Sequence, residues 1–594
     1  MKYPTLNVLP TSRDMIGVFG GYNHNLLIGD GEFYNMTNLS STDYPILSTR
    51  KRRGTYAKPA SPQGLIAKDS LCYVDGSDFV INGYPVPMGL SVDAEMCPKT
   101  LISMGAYVII MPDKMYINTA RNDDEDAFEF GKIEASVTTT GTVTFELCKV
   151  DGTGFGETKP SPSAPTITDE MEKDPSLIPM WLDTSSTPNT LRQYSSYQGE
   201  WVTVPTTYIK IYAPDSEKMP FAEGDGVTIS GVIPTDLSDL NASHVVWAKG
   251  DDYIVVKGIL NAVVSQEEPV TIARRMPDMD FIVESQNRLW GCKYGINKDG
   301  KMVNEIYASK LGDFKNWNYY PGTSTDSYFV TVGTDGQFTG AINHLGYPIF
   351  FKENCMHKVY GNYPAQYQVQ TTTCRGVQKG CSKSLSIVNE VLYYKSRSAV
   401  CAYDGSLPAE ISTALGDIAY HDAVAGTLGN KYYISMADGN EEHHIFVYDT
   451  ARGMWHREDN THATDFCTFR GDLLFIDGKD LTIKSVNGDG EAESNAVKWV
   501  AESGVWGTDH PDKKYISRID VRLKLNVGTR VIFRIEYDSS GEWEHLFTMM
   551  GTSLKTFSIP VKPKRCDHLR LRIEGEGEAK IYSITRTFEQ GSGI

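Results

Sequence analysis

The chain is 594 residues long, carries a formal net charge of −18 and is rich in Tyr (33), Phe (22) and Gly (53); that length is too great for one hydrophobic core unless the core is a ring of repeated units. No apolar run approaches the roughly 20 residues that cross a bilayer, and the start, Met1-Lys2-Tyr3-Pro4-Thr5, lacks the apolar segment of a secretory leader, so we expect synthesis in a cytoplasm and no stable membrane insertion. The acidic balance argues against a surface made to grip nucleic acid, since neutralising phosphates takes clustered Lys and Arg, and the ten cysteines, scattered without a CxxC pair, read as small core residues rather than metal ligands.

Many aromatics and glycines with few Ala-Leu-Glu-Lys stretches predict an all-β protein with tight turns. Residues 1–60 show little periodicity and are expected to form an arm that contributes one strand to the first repeat. From residue 61 a phrase recurs: an apolar strand, a turn with Gly or Asn, a second strand rich in aromatics, and a third ending in Tyr or an apolar residue. Two copies occupy 61–129. One runs from Gly64-Leu65-Ile66-Ala67 through Leu71-Cys72-Tyr73-Val74 to Phe79-Val80-Ile81, the other from Leu101-Ile102-Ser103-Met104 through Tyr107-Val108-Ile109-Ile110 to Met115-Tyr116-Ile117.

Residues 130–276 interrupt the phrase. The stretches 133–137 and 142–147 read as a hairpin across Thr-Gly, a Pro/Ser/Thr-rich stretch follows from Thr158 to Pro188, and five short alternating strands begin at Tyr208, Gly226, His244, Tyr253 and Val270. These suit a small β-barrel inserted into one repeat.

Five further copies fill 277–490, and their turn residues Gly346, Asn389, Asn430 and Gly471 are separated by 43, 41 and 41 residues. That spacing matches the blade period of a propeller. One such small sheet is marginal alone, whereas a closed ring buries both of its faces. The expected architecture is therefore a β-propeller of six to eight blades, without a WD or kelch signature. Residues 491–594 lose the phrase, and their alternating strands predict a separate C-terminal β-sandwich.

No motif assembles an active site, and no enzyme activity, cofactor or metal is expected. The run from Gly376 to Ser384 lacks phosphate-loop spacing and reads as a turn between repeats. Glu441-Glu442-His443-His444 places adjacent histidines on opposite faces of a strand, without HExxH spacing, and is not read as a metal site. The run Asn487 to Glu491 lacks the alternate ligands of a calcium loop. Asp538-Ser539-Ser540-Gly541-Glu542-Trp543 echoes a sialidase turn, but it occurs once, outside the repeats, and reads as a hairpin turn with Trp543 anchoring a core. Two charge clusters stand out, basic Arg50-Lys51-Arg52-Arg53 and acidic Asp123-Asp124-Glu125-Asp126; both ordinarily make solvated faces.

Several phrases resemble the tail nozzle, or packaged-DNA-stabilisation, proteins of short-tailed phages. Gly31-Glu32-Phe33-Tyr34-Asn35-Met36-Thr37-Asn38-Leu39 leading to Tyr44-Pro45-Ile46-Leu47 is similar to their opening. Asn287-Arg288-Leu289-Trp290-Gly291 with Asp313-Phe314-Lys315-Asn316-Trp317, and Tyr403-Asp404-Gly405 through Pro408-Ala409-Glu410, resemble later blades; the likeness covers roughly residues 20–490. The resemblance implies a virion protein forming a six-fold ring below the portal and adaptor, touching tail fibre or spike proteins, with viral DNA passing through the lumen unread. A DNA channel gains from like charge on its wall, which makes Asp123, Asp124, Glu125 and Asp126 candidate channel-lining residues and Arg50, Lys51, Arg52 and Arg53 candidate assembly contacts. The other function weighed is a minor tail or receptor-binding protein that stacks host-surface glycans on Trp499, Trp506 or Trp543.

Overall fold

The computed structural model describes residues 11–120, 128–154, 166–171, 173, 180–185, 190–204, 206–260, 263–318, 324–508, 513–551 and 553–590. The class is all-β: among the described residues the helical segments are five short 3-10 turns.

Seven antiparallel sheets carry the repeat. Sheet I comprises Pro62–Ala67, Leu71–Asp75, Asp78–Ile81 and Tyr84–Val86, and sheet II comprises Thr100–Met104, Tyr107–Met111, Met115–Asn118 and Phe130–Lys132. Sheet III is Phe281–Ser285, Arg288–Ile296, Met302–Ala308 and Tyr328–Thr331; sheet IV is Phe338–His344, Tyr347–Lys352, Cys355–Tyr360 and Gln368–Thr373. Sheet V is Ser386–Val388, Val391–Lys395, Val400–Tyr403 and Ala409–Glu410, and sheet VI is His421–Leu428, Lys431–Ala437, His443–Asp449 and Met454–Arg457. Sheet VII takes three strands from its own stretch, Ala463–Phe469, Asp472–Asp477 and Ile483–Ser485. Its fourth, Gly54–Ala57, comes from the other end of the chain.

Each sheet is covered on both faces, which is why its central strands read as unbroken apolar runs and not as an in-out alternation. In Lys431–Ala437, Tyr432 and Ile434 face sheet V, with the Tyr432 and Tyr393 rings 5.3 Å apart, while Tyr433 packs with Leu473 of sheet VII. Comparable apolar layers join I to II (Val74 with Val108), II to III (Ile109 with Leu289), III to IV (Trp290 with Phe350), IV to V (Phe351 with Tyr394) and VII to I (Leu474 with Tyr73). The first strands also touch in sequence: I against II, II against III, III against IV. Between IV and VI the turn Ser382–Ser384 touches the first strands of both, and VI then meets VII, which meets I.

The interruption lies between sheets II and III. An eight-stranded sheet holds its five predicted strands together with Ala135–Thr138, Val143–Leu147 and Val264–Gln266, around a core that includes Phe145, Ile211, Val227 and Ile254. The hairpin expected across Thr140-Gly141 does not form. Ala135–Thr138 pairs with Thr271–Arg274, and Val143–Leu147 pairs with Thr206–Tyr212, while Thr139 exchanges hydrogen bonds with Val270 and the Thr140 N–H donates to Ser216 instead of closing a local turn. A separate four-stranded sheet spans Thr166–Thr168 to Glu200–Thr203. At the base, Arg274 is ion-paired with buried Asp225, and the side chain of buried Asn316 accepts from the Gly226 N–H and donates to Asp225 at 3.4 Å.

The C-terminal strands form two facing sheets, but not by themselves. Glu32–Thr37 pairs with Lys498–Ser503 in one, while Thr11–Ile16 and Leu47–Thr49 pair with Ala579–Gln590 in the other. Through Gly21–Tyr22, which pairs Tyr22 with Trp455, the first of these sheets is continuous with sheet VI, and one core runs from Ile349 to Ile584. The C-terminal region is thus joined to the repeat and completed by residues 11–49, a partnership too distant in sequence for local periodicity to display.

Candidate functional site

A cavity of about 430 Å³ opens where first strands of the sheets converge, lined among others by Gln63, Lys383, Asp422, His462 and Asp465. Lys383 reaches across it, its ammonium 2.9 Å from the Asp465 carboxylate and 3.2 Å from the Thr464 carbonyl. At its edge Asp422 sits in a β-bulge: the pairing of His421–Leu428 with Lys431–Ala437 slips between His421 and Val424, and Asp422 adopts φ +47°. Bulges re-aim side chains in this way. Here Asp422 Oδ2 lies 3.9 Å from Nε2 of His443 and 3.9 Å from Nε2 of His462.

The His443 and His462 rings stack, 3.6 Å between centroids and 16° between planes. Burial, and then the neighbouring His462, push His443 below its ordinary pKa, so it is neutral near pH 7. His421 Nε2 is 3.2 Å from Glu441 Oε1 alongside. Alternation turns His444 to the opposite face, where Asp438 lies 3.3 Å from its Nε2 and Asn460 and Arg457 each lie 3.1 Å from its Nδ1. Strand alternation separates the two histidines as the sequence predicts, but it carries no view of what each meets; the only local hint of the first group is the His421-Asp422 pair.

A wider cleft of about 850 Å³ lies between the terminal sheets and sheets VI and VII, lined by Asp43, Arg50, Lys431, Asp449, Arg452 and Lys580 among others. The basic run flanks it, and half of that run faces inward. Arg50 donates to Asn38 at 2.7 Å and pairs with Asp459 at 3.2 Å and Glu493 at 3.4 Å. Arg53 pairs with Glu458 at 2.7 Å and Asp459 at 3.0 Å and lies over the Phe475 ring. Burial opposes the Arg53 charge, but Asp459 and Glu458 outweigh it and hold its pKa above the ordinary value. Of the four residues of the run, Arg50 and Arg53 are buried and Lys51 and Arg52 are exposed. Asp123, Asp124, Glu125 and Asp126 lie outside the described residues.

The other motifs resolve as local structure. Gly376 to Ser384 joins sheets IV and V, and Gly376 is required because a Cβ there would collide with the Lys352 carbonyl. The turn after Tyr537 has Asp538 and Ser539 at φ +51° and +52°. Trp543 is not a core residue: it is half-buried on the sheet surface with the Arg570 and Arg572 guanidiniums 5.7 and 5.6 Å from its ring centre. Trp499 and Trp506 are buried, and the Trp499 N–H donates to the Gly577 carbonyl at 2.9 Å, which withdraws both from glycan stacking.

One chain of side chains has no signature in the sequence. Ser539 Oγ is 2.8 Å from His568 Nε2, and His568 Nδ1 is 2.9 Å from Asp567. It has the order of a nucleophile relay, yet it lies on an exposed turn, and the N–H groups of Ser540 and Gly541 are already donated to the Tyr537 carbonyl and the Glu536 carboxylate.

No family model matches the chain, and no curated protein does. Among solved structures it aligns with a glycoside hydrolase at 12% identity over 52% of this chain and 98% of that one, TM-score 0.20. It also aligns with the extracellular domain of a one-component system from B. thetaiotaomicron at 8% over 93% and 98%, TM-score 0.17. A Trypanosoma rangeli sialidase mutant aligns at 8% over 90% and 95%, TM-score 0.20. Scores of this size carry no inference about fold or activity.

Proposed function

We propose that the chain is a non-enzymatic structural protein of a phage tail, a nozzle subunit whose body is a seven-bladed β-propeller, with six copies forming a ring below the portal and adaptor that conducts and retains the genome. The observation that carries the propeller reading is the series of apolar layers between successive sheets, which runs from I to VII and back to I. Its last sheet is completed by Gly54–Ala57. Borrowing one strand from the other end of the chain ties a ring shut and leaves only short sheet edges.

The nozzle reading rests on the phrases that resemble that family, and these fall at structural junctions. Asp313-Phe314-Lys315-Asn316-Trp317 clasps the base of the inserted domain, and the opening phrase from Gly31 to Leu39 supplies Glu32–Thr37 to the terminal sheets. The net charge of −18 suits a lumen along which DNA slides. In this reading Lys51 and Arg52 meet an acidic neighbour in the assembly, and the inserted domain closes or lines the exit. The glycan-binding alternative loses Trp499 and Trp506 to burial.

Imaging intact particles by electron cryomicroscopy tests the proposal, because one map gives copy number and position together. A six-fold ring under the portal, with residues 135–274 at its distal end, is expected. A three-fold or peripheral placement at the tail tip would overturn the nozzle assignment and make receptor binding the better account.

A further inference from the structure

We infer that Asp422, His443 and His462 form a binding site for a divalent transition metal of the zinc class, one ion per chain, at the edge of the cavity between sheets VI and VII. The donor set is right for such an ion: two imidazoles and one carboxylate suit zinc and its first-row neighbours and do not suit calcium or magnesium. The three donor atoms lie within 4.8 Å of one another.

The spacing is also informative. Each imidazole Nε2 is 3.9 Å from Asp422 Oδ2, beyond hydrogen-bond reach, so the carboxylate faces two ring nitrogens and bonds neither. An ion held at about 2.0–2.1 Å sets tetrahedral donors roughly 3.4 Å apart, and because the His443 and His462 rings stack with only 16° between their planes, one ring turns out of the stack for both Nε2 lone pairs to converge on the ion. Nδ1 of His443 and Nδ1 of His421 are buried without a hydrogen-bond partner.

Backbone features support the placement. The bulge at Asp422 delivers the carboxylate, and Gly478 leaves room for His462, since a Cβ there would come within 2.8 Å of His462 Nδ1. His421 and Glu441, 3.2 Å from each other, flank the site, and Glu441 adds a carboxylate beside it. A second group of possible donors, Asp438, Glu442 and His444, differs in one decisive respect: the Arg457 guanidinium lies 3.1 Å from His444 Nδ1, and that fixed positive charge opposes a metal ion. A metal at the first site would bridge the first and third strands of sheet VI to the connection into sheet VII, leaving a fourth position for water. The inference does not depend on the nozzle reading.

The test uses the full chain stripped with a chelator and titrated with Co²⁺, followed by visible ligand-field absorption and calorimetry, and then with Zn²⁺ followed by melting temperature. One Co²⁺ per chain, displaced by Zn²⁺, and a Zn²⁺-dependent rise in melting temperature are expected. His443→Gln, His462→Gln and Asp422→Asn each weaken binding by at least the roughly 10–100-fold that losing even an outer-shell partner costs, while His444→Gln leaves it unchanged. Asp422 is exposed enough for its variant to fold, and melting with chelator present checks this for all of them. Absence of saturable binding, binding that survives His443→Gln and His462→Gln, or binding that is lost with His444→Gln would each overturn the assignment.

Discussion

The guanidinium of Arg53 meets the carboxylate of Glu458 at 2.7 Å, with 4% and 5% of the two side chains exposed. The pair joins the residue just before the closing strand Gly54–Ala57 to the residue just after the last strand of sheet VI. Removing one partner of a buried pair strands the other charge at a cost of about 3–5 kcal/mol. Arg53→Ala should lower stability by that amount in denaturant melts, and the double substitution Arg53→Met with Glu458→Leu should recover most of the loss.

Low pH should act on neighbouring groups with a definite sign. Burial alone would raise the Asp459 carboxyl, but Arg53 and Arg50 outweigh it and hold it down at about 2. A carboxyl held below its ordinary value stabilises the fold above about pH 4 and loses that contribution as pH falls toward 2. His456 is pushed down to about 3 by burial and then Lys431, and His357 to about 4 by burial and then Lys352. Their contribution is present above the ordinary histidine value of about 6.5 and is lost as pH falls below it. The melting temperature should therefore begin to fall below about pH 6.5 and fall again below about pH 4. Asp459→Asn should blunt the second decline in a calorimetric pH series.

Gly54 is the point of closest approach in the closure. A Cβ at Gly54 would collide with the carbonyl of Asp489, and the turn that succeeds sheet VII leaves no room to shift. Gly54→Val should cost at least about 3 kcal/mol and expose residues 50–60 to limited proteolysis, whereas Thr55→Val in the same strand should do neither.

The inserted domain leaves and returns through paired strands, Ala135 opposite Arg274, so its ends lie about 5 Å apart. Replacing residues 135–274 with a short Gly-Ser linker should leave the seven sheets folded. Asn316→Leu should accompany the deletion, because Asn316 loses its partners Gly226 and Asp225. Retention of the main calorimetric transition and of the far-ultraviolet β spectrum is the expected result.

The repeat is legible in the sequence because each sheet is built from neighbours along the chain: the turns near Gly346, Asn389, Asn430 and Gly471 each join adjacent strands of one sheet. The hidden part depends on strands that meet across hundreds of residues. Nothing local tells that Thr11–Ile16 lies on Ala579–Gln590, or that Ala135–Thr138 prefers Thr271–Arg274 to its neighbour in sequence. The basic run is visible as charge, yet the burial of Arg50 and Arg53 depends on Glu458, Asp459 and Glu493, more than 400 residues away. Alternation sets His443 and His444 on opposite faces, but His462 and Asp422 come from other strands and connections.

The strand Gly54–Ala57 also imposes a schedule on synthesis. It leaves the ribosome long before its partner Ile483–Ser485 exists, and at cellular elongation rates the wait is about 20–90 s. Glu32–Thr37 and Leu47–Thr49 wait longer still, for partners at the C-terminal end. Throughout that interval the nascent chain presents unpaired strand edges of the kind that recruit foreign strands. Slowing translation late in the message should therefore raise aggregation, and holding the early segment by a chaperone should lower it.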